Sequence, residues 1–326
     1  MKLKEFVKTS SPREWLVEGL IPQGHAILAE GLPGVGKSWV VDALAIHIAS
    51  GKPFLDLPVR SGPVTLVDED TPSDELSNRL QRLAKGLNLS LDNLPIEVHS
   101  MENTNLCDKD SLQGLAGPKT VLVVFDCLSK VMGCEFNEDS AKDANIAGNA
   151  WNKLKANGAT ILVTHHLNKR DGDIAIDFVR LSRGSAALVS NSDTAFGIES
   201  GRRNPTCFNI YPIERRRKLG VREPFGIELE EDKELTWTRL KRVSLAKGLG
   251  TLAKDIYEFF KQVDKEDSGE VRLRAFDIKK SLAGAASDSD MRNAIRELEE
   301  SGILGHAVVA HNRYEYYLWP KGGSGN

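Results

Sequence analysis

A glycine-rich run followed by lysine and serine is the strongest chemical signal in the sequence. Residues 31 to 40 read GLPGVGKSWV and contain the complete pattern G-x-x-x-x-G-K-[ST]. Its glycines allow backbone N–H groups to surround a phosphate chain, Lys37 can contact the β- and γ-phosphates, and the Ser38 hydroxyl can bind Mg²⁺. The alternative is a turn that only precedes a helix. The pattern favours a site for ATP and Mg²⁺ formed by Gly31, Pro33, Gly34, Val35, Gly36, Lys37, Ser38 and Trp39.

Carboxylates follow two other apolar runs, and a site for a nucleotide with Mg²⁺ needs such groups. The run Val121–Phe125 is followed by Asp126, which we predict to hold the Mg²⁺ shell. Cys127 comes next, so the base that activates water must come from another strand. A second run ends in three successive acids, of which Glu69 is the preferred base and Asp70 the next choice. The alternative for these acids is a solvated surface run.

Two histidines follow a third apolar run. Thr160–Thr164 reads as a buried strand, and His165 and His166 come directly after it. We predict that His166 acts where a sensor of the γ-phosphate would lie. A hydrogen-bonded structural histidine is the alternative, and metal ligation is disfavoured because no third ligand lies at a useful spacing in the sequence.

The candidate residues lie in a chain that alternates short apolar runs with amphipathic stretches. The apolar runs predict strands at His25–Ala29, Val64–Asp68, Ile96–His99, Val121–Phe125, Thr160–Thr164 and Thr194–Glu199. The amphipathic stretches predict helices at Ser38–Ala49, Pro72–Gly86 and Asp143–Asn157. Later strands or hairpins are predicted at Cys207–Glu214, Gly226–Leu229 and Leu235–Leu240. This order is typical of an α/β fold with a mainly parallel sheet.

The pattern changes near residue 250. Three short helices are predicted at Leu252–Val263, Ala275–Ala283 and Ser289–Ser301, followed by strands at Ile303–Val309 and Tyr314–Leu318. Three helices followed by a β-hairpin is the order of a winged helix. We therefore predict an ATPase domain over residues 1–249, a winged-helix-like domain over residues 250–320 and a flexible tail over residues 321–326.

Composition excludes several classes of protein. The chain has 43 Lys and Arg against 46 Asp and Glu, and a formal net charge of −3, so it does not bind polyanions by bulk charge alone. Its 4 cysteines include no C-x-x-C pair, which disfavours a zinc cluster or a disulfide framework. No stretch approaches the roughly 18 uninterrupted apolar residues that a membrane-spanning helix needs. We expect a cytoplasmic protein.

Five patches, taken in order, give the sequence a family resemblance. They are GLPGVGKSWV, TLVDEDTPSDELSNRL, VLVVFDCLSKV, ILVTHHLNK and SRGSAALVSNSD. With them the chain resembles the RecA-like hexameric P-loop ATPases over roughly residues 10 to 240, and most closely the branch of the plasmid RepA-type replicative helicases. The acid pair after the second strand, the following helix that ends in Arg-Leu and the HH-x-x-K pattern are characteristic of that branch.

The resemblance implies a ring in which each nucleotide lies between neighbouring subunits. Arg183 matches the position of an arginine finger, which acts on the nucleotide of the next subunit. Arg216 and Lys218 match a second basic pair, although the run 215–218 is basic throughout and leaves the register open by one residue. A solvated surface run is the alternative for this pair. The implied assembly is a homo-oligomer, expected to be a hexamer.

In the family that the sequence resembles, DNA contacts come from loops that face the central channel. The matching segments are 132–142, which is acidic, and 168–180, which mixes both charges. The most basic stretch is 202–222, where seven Lys and Arg face one Glu. Contact with single-stranded DNA through central loops is therefore expected from the resemblance. The C-terminal domain is expected to contact either a protein or duplex DNA.

Three functions compete at this point. The first is a ring-forming, DNA-dependent ATPase that acts as a helicase in the replication of a plasmid, phage or other mobile element. The second is an ATP-switched DNA-binding or assembly factor, in which the nucleotide controls oligomerisation without processive unwinding. The third, a small-molecule kinase, fits the phosphate loop but lacks a recognisable acceptor site or lid.

Overall fold

The computed structural model of the chain describes most of the segments that carry the predicted site. The described residues are 3, 13–108, 110–133, 136–137, 139–167, 186–201, 204–213, 225–243, 251–266, 272–282, 287–300, 303–310 and 313–318. Three predicted site residues, Arg183, Arg216 and Lys218, lie outside them. Their proposed roles stay predictions.

A nine-stranded sheet organises residues 26–243. Two short N-terminal strands, β1 (Trp15–Val17) and β2 (Ile21–Pro22), form a separate antiparallel pair. The large sheet contains β3 (Ala26–Gly31), β4 (Val64–Asp68), β5 (Ile96–Ser100), β6 (Leu122–Asp126), β7 (Thr160–His166), β8 (Thr194–Gly201), β9 (Asn204–Ile213), β10 (Phe225–Glu231) and β11 (Thr238–Val243).

The strand order of this sheet is β11-β10-β9-β8-β3-β7-β6-β4-β5. The six strands from β8 to β5 run parallel, whereas β9, β10 and β11 extend the sheet in antiparallel fashion. Strand β7 therefore lies between β3, which leads to the phosphate loop, and β6, which ends in Asp126. The α/β fold class predicted from the sequence is confirmed, with a mostly parallel sheet consistent with a RecA-like P-loop core.

Five α-helices and one short 3₁₀-helix, Leu91–Asn93, accompany the large sheet in the described residues. The α-helices are α1 (Lys37–Ser50), α2 (Ser73–Gly86), α3 (Leu128–Val131), α4 (Ala141–Ala156) and α5 (Ala186–Asn191). Helix α1 is apolar on nearly all sides and is accordingly buried, while α2 buries only one stripe that includes Leu76 and Leu83. The Ser140 hydroxyl caps α4 by accepting a hydrogen bond from the N–H of Asp143.

Strand β6 shows how the sheet is covered on both faces. Leu122 and Val124 pack in an apolar cluster with α1, whereas Val123 and Phe125 pack in a second cluster with α4. Because successive side chains of a strand point to opposite faces, a strand between two helical layers must be apolar throughout. This requirement explains the uninterrupted run that precedes Asp126.

The described residues after 250 form three helices and a three-stranded sheet. The elements are α6 (Thr251–Glu266), β12 (Leu273–Arg274), α7 (Ala275–Ser281), α8 (Asp288–Glu300), β13 (Leu304–Ala310) and β14 (Arg313–Leu318), with sheet order β12-β14-β13. They share an apolar cluster that includes Ile256, Phe260, Ile278 and Leu298. The winged-helix assignment and the domain boundary near residue 250 stay predictions.

The ends of the predicted elements differ from the observed ends by no more than three residues. The sequence missed β1, β2, β12, α3 and α5, all of which are short. Such elements carry too few residues for a periodic pattern, so tertiary contacts decide them. Among the described residues, no helix is both long enough and apolar enough to cross a bilayer.

Candidate nucleotide site

The candidate site lies where parallel strands β3, β7, β6 and β4 end. The register places Gly31 beside His166 on β3 and β7, and Asp68 beside Asp126 on β4 and β6. Side chains from distant parts of the chain therefore meet at one edge, because parallel strands end together. The same edge carries the phosphate loop, which connects β3 to α1.

Two glycines of the phosphate loop allow close approach of neighbouring groups. Gly36 has φ +89°, and a Cβ there would lie 2.4 Å from Cε1 of Phe208 on β9. At Gly31 a Cβ would lie 2.5 Å from the carbonyl oxygen of Ile198 on β8. Both distances are shorter than a real Cβ tolerates, so these positions require glycine. Phe208 supports the loop from the antiparallel part of the sheet, a contact that no pattern along the chain predicts.

Lys37 is buried within the loop that precedes it. Its Nζ donates hydrogen bonds to the carbonyl oxygens of Gly31 and Leu32, each at 3.0 Å, and lies 3.2 Å from Nδ1 of His166. An ammonium has three donors and no acceptor, so Nδ1 of His166 is the acceptor in this contact. Burial lowers the pKa of Lys37, and the negative charge of Asp126 opposes that shift. The structure thus brings Lys37 and His166, two residues predicted separately for the site, into direct contact.

Asp126 has one satisfied and one open oxygen. Its Oδ1 accepts a hydrogen bond from the Thr164 hydroxyl at 2.5 Å. Its Oδ2 is buried and has no hydrogen-bond partner among the described residues. A buried carboxylate oxygen without a partner is costly unless an ion or water completes it. Asp126 therefore fits the predicted role in a Mg²⁺ shell, with Ser38 half-buried at the start of α1 as the other predicted ligand.

The remaining predicted loop residues differ in exposure. Pro33 and Gly34 are exposed, and Val35 is buried. Trp39 is half-buried, and the guanidinium of Arg82 lies 5.1 Å from the centroid of its ring. Arg82 also forms an ion pair with Glu231, so the Trp39 ring is held from its α2 side. A nucleotide contact of Trp39 stays a prediction.

Glu69 uses its carboxylate to hold a neighbouring loop. Its oxygens accept hydrogen bonds from the N–H groups of Asn103 and Thr104 at 3.1 and 2.8 Å. The N–H of Glu69 donates to the carbonyl oxygen of Asp126 at 2.9 Å, which places its backbone at the site. The role of Glu69 as base stays a prediction, and these two amide contacts are part of the environment in which it would act.

One group of three side chains in the described residues could hold a metal ion. Ligand atoms of Asp70, Cys127 and His166 lie within 4.8 Å of one another. Spacing along the sequence does not reveal this group, because the ends of three strands bring its members together. Burial raises the pKa of Cys127 to about 11, so its sulfur stays a protonated thiol, a poor metal ligand. The ammonium of Lys37 against His166 also opposes a second cation, and we assign no metal here.

A buried charge network that the sequence did not reveal lies beside the site. Arg79 on α2 donates from Nε to Asp42 on α1 at 2.5 Å and from Nη2 to Asp68 at 3.2 Å. Both carboxylates are fully buried. Burial raises the pKa of Asp42 to about 7, against the opposing effect of Arg79. Burial and the charge of Asp126 also raise the pKa of Asp68. The only hint in the sequence is an aspartate within the apolar run of α1.

Comparisons with known proteins agree with this geometry. A family model described as an AAA domain matches residues 2–172. The match covers just over half of the 326-residue chain and includes the phosphate loop, the acidic turn after β4, Asp126 and both histidines. No curated protein matches the chain.

Proposed function

The chain belongs to the AAA domain family of P-loop ATPases, and from that premise we propose a ring-forming, DNA-dependent ATPase of the RepA-type replicative helicase class. One observation carries the enzymatic part of this proposal. Lys37, Asp126 and His166 meet at the carboxyl edge of the sheet, each with a geometry suited to a nucleotide with Mg²⁺.

Each of these residues has a distinct role in the proposed hydrolysis. Lys37 would transfer its hydrogen bonds from the loop carbonyls to phosphate oxygens. Asp126 would hold the Mg²⁺ shell through its open oxygen, and Ser38 would complete that shell. Bound Mg²⁺ would neutralise charge on the phosphate oxygens. His166 would respond when Lys37 exchanges its hydrogen-bond partners, because Nδ1 of His166 accepts a hydrogen bond from the Lys37 ammonium.

Water activation is assigned to Glu69, with Asp70 as the second choice. Backbone amides orient the Glu69 carboxylate, and a carboxylate can orient and deprotonate water at a phosphoryl group. Asp70 is exposed and lies near His166. The two acids differ in what their carboxylates contact, because that of Asp70 forms a 3.8 Å ion pair with Lys130.

Assembly into a ring is supported by the resemblance in the sequence. Arg183 would stabilise charge on the phosphoryl group bound by the neighbouring subunit, and Arg216 and Lys218 would add a second basic contact. The basic stretch 202–222, repeated around a ring, would attract a phosphate backbone. The C-terminal residues would then contact a protein or duplex DNA.

A second candidate function is favoured by one sequence feature. The segment 132–142, which matches a channel loop, has three acids against one lysine. Acidic groups facing a channel would repel a phosphate backbone. In this alternative, ATP controls oligomerisation on DNA and hydrolysis resets the assembly without processive unwinding.

The test is ATP turnover with and without a single-stranded oligonucleotide, combined with the mass of the protein in solution with a nonhydrolysable nucleotide. A ring ATPase should show turnover that rises with DNA and a mass of several subunits. Lys37→Ala is the control, and it should abolish turnover in both conditions. A monomer with turnover indifferent to DNA would contradict the ring helicase. Oligomers that hydrolyse ATP without displacing a strand from a forked duplex would support the assembly factor.

A further inference from the structure

Three buried ionisable side chains link the segments that surround the candidate site. Arg79 is 7% exposed, and Asp42 and Asp68 are 0% exposed. Arg79 contacts the two carboxylates through different nitrogen atoms, Nε for Asp42 and Nη2 for Asp68. A planar guanidinium suits such a shared contact, because its donors point in fixed directions. The contact joins helix α1, helix α2 and the end of strand β4.

Asp68 uses its other oxygen to hold the turn after β4. Its Oδ1 accepts hydrogen bonds from the N–H groups of Asp70 at 3.0 Å and Thr71 at 2.8 Å. This turn carries Glu69 and Asp70, the two acids considered as the base. Asp68 therefore fixes the backbone from which both side chains extend.

Arg79 places a positive charge against the buried carboxylate of Asp68. Asp68 is fully buried, and its Cα is the register partner of Asp126 on the adjacent strand. Burial and a neighbouring like charge both disfavour an ionised carboxylate. Arg79 is the cation that contacts Asp68 among the described residues, and its Nη2 holds the oxygen that the turn does not use. Removing Arg79 would leave Asp68 free to rotate or to bind a proton.

The contact with Asp42 fixes the position of the Arg79 guanidinium. Asp42 is on α1, the helix that begins with Lys37, so Arg79 is anchored to the same helix as the phosphate-binding lysine. The acidic turn and the phosphate loop are thus tied to each other through one side chain.

We propose that Arg79 is a positioning residue, which holds the turn carrying Glu69 and Asp70 at a fixed place relative to Lys37. The inference rests on the proposed hydrolysis at this site. It assigns Arg79 an effect on turnover that acts through Asp68. It also assigns Arg79 an effect on the backbone of the turn, which exists with or without catalysis.

The test compares Arg79→Gln with the unchanged protein in three measurements. Hydrogen exchange in a peptide containing Asp70 and Thr71 should become about tenfold faster, because these amides lose a fixed acceptor. ATP turnover at saturating nucleotide should fall by about tenfold or more, because a displaced base loses its orientation. The dissociation constant of a fluorescent ATP analogue should change by less than about threefold, since Lys37 and its loop are unaltered.

Two further variants keep the test decisive. Lys85→Gln removes one positive charge from the exposed part of the same helix and should leave exchange of the turn unchanged. If Arg79→Gln does not fold, the double variant Asp42→Asn with Arg79→Met removes both charges of the α1 contact and should still give fast exchange of the turn. Removing both partners avoids leaving Asp42 as a buried, unpaired charge.

Two outcomes would overturn the inference. One is exchange of the turn that stays at the rate of the unchanged protein. The other is a fall in turnover matched by an equal loss of nucleotide affinity, which indicates general damage. If the unchanged protein does not hydrolyse ATP, the proposed function fails, and the exchange measurement alone decides the inference about Arg79.

Discussion

Two aspartates end adjacent strands in register, yet their surroundings differ. Asp68 accepts hydrogen bonds from two backbone amides on one oxygen and contacts Arg79 through the other. Asp126 accepts one hydrogen bond from Thr164 and keeps its second oxygen buried without a partner in the described residues. The carboxylate of Asp68 therefore has partners on both oxygens, and we call it closed. The carboxylate of Asp126 has one oxygen without a partner in the described residues, and we call it open. An open, buried oxygen indicates a ligand, whereas a closed one indicates a support for the backbone.

The largest expected effect is at the open carboxylate. Asp126→Asn should lower the rate of ATP hydrolysis by about 10³-fold, equivalent to about 4 kcal/mol, because it removes a charge from the Mg²⁺ shell. The asparagine oxygen can still accept from Thr164, so the melting temperature should change little. Steady-state turnover and thermal unfolding measure the two parts. A variant that hydrolyses ATP at the normal rate would show that the open oxygen has no role in catalysis.

Glu69→Gln should have the next largest effect. Turnover should fall by about 10²-fold, since an amide cannot take a proton from water. Nucleotide binding should stay within about threefold, measured by titration of a fluorescent ATP analogue. Asp70→Asn is the matched control with the same chemical change one residue away. A larger loss for Asp70→Asn than for Glu69→Gln would move the base to Asp70.

Asp42 should make stability depend on pH. Its pKa in the folded protein is raised to about 7, above its usual value of 3.8, so the folded state holds a proton that the unfolded state releases. Stability from this group is therefore present at low pH and decreases as pH rises toward 7, by about 1.4 kcal/mol per unit at most. The Asp42→Asn variant has no carboxyl group at this position, so its stability should not show this decrease with pH. Urea unfolding at pH 5 and pH 8 should show the variant gaining about 2 kcal/mol relative to the unchanged protein at the higher pH. An equal difference at both pH values would contradict the raised pKa.

Asp68→Asn should have the smallest effect, and that effect should be on the stability of the fold. The asparagine oxygen can still accept from the N–H groups of Asp70 and Thr71, but its amide donors meet the donors of Arg79. The free energy of unfolding should fall by about 1 to 2 kcal/mol. The affinity for nucleotide should stay nearly unchanged, in contrast to a residue of the Mg²⁺ shell. A loss of nucleotide affinity greater than tenfold would remove the distinction between the two aspartates.

The sequence predicted the parts of the site that depend on local pattern. The phosphate loop needs glycines and a lysine at fixed spacing, and strands buried on both faces need continuous apolar runs, as Leu122 to Phe125 illustrate. The residues after such runs could therefore be placed at one sheet edge. The fold class followed from the same alternation of strands and helices.

The contacts that the sequence did not predict depend on packing between distant segments. Arg79 contacts Asp42 because α2 lies against α1, and no pattern along the chain specifies that arrangement. Phe208 meets Gly36 because an antiparallel strand returns beside β8. Asp70 and Cys127 approach His166 only after three strands align. Local patterns predict elements, whereas these pairs are set by tertiary geometry.

The internal hydrogen bonds of Lys37 have a consequence for product release. The carbonyl oxygens of Gly31 and Leu32, with His166, give the ammonium three acceptors within the protein itself. In the proposed site, a departing phosphate would therefore leave no buried cation without partners, and a binding phosphate would exchange one set of hydrogen bonds for another. Lys37 would therefore add less to the free energy of nucleotide binding than the strength of its phosphate contacts suggests, because the loop carbonyls compete for the same ammonium. In the proposed ATPase, such competition would weaken the hold on spent nucleotide and let the site empty for the next cycle.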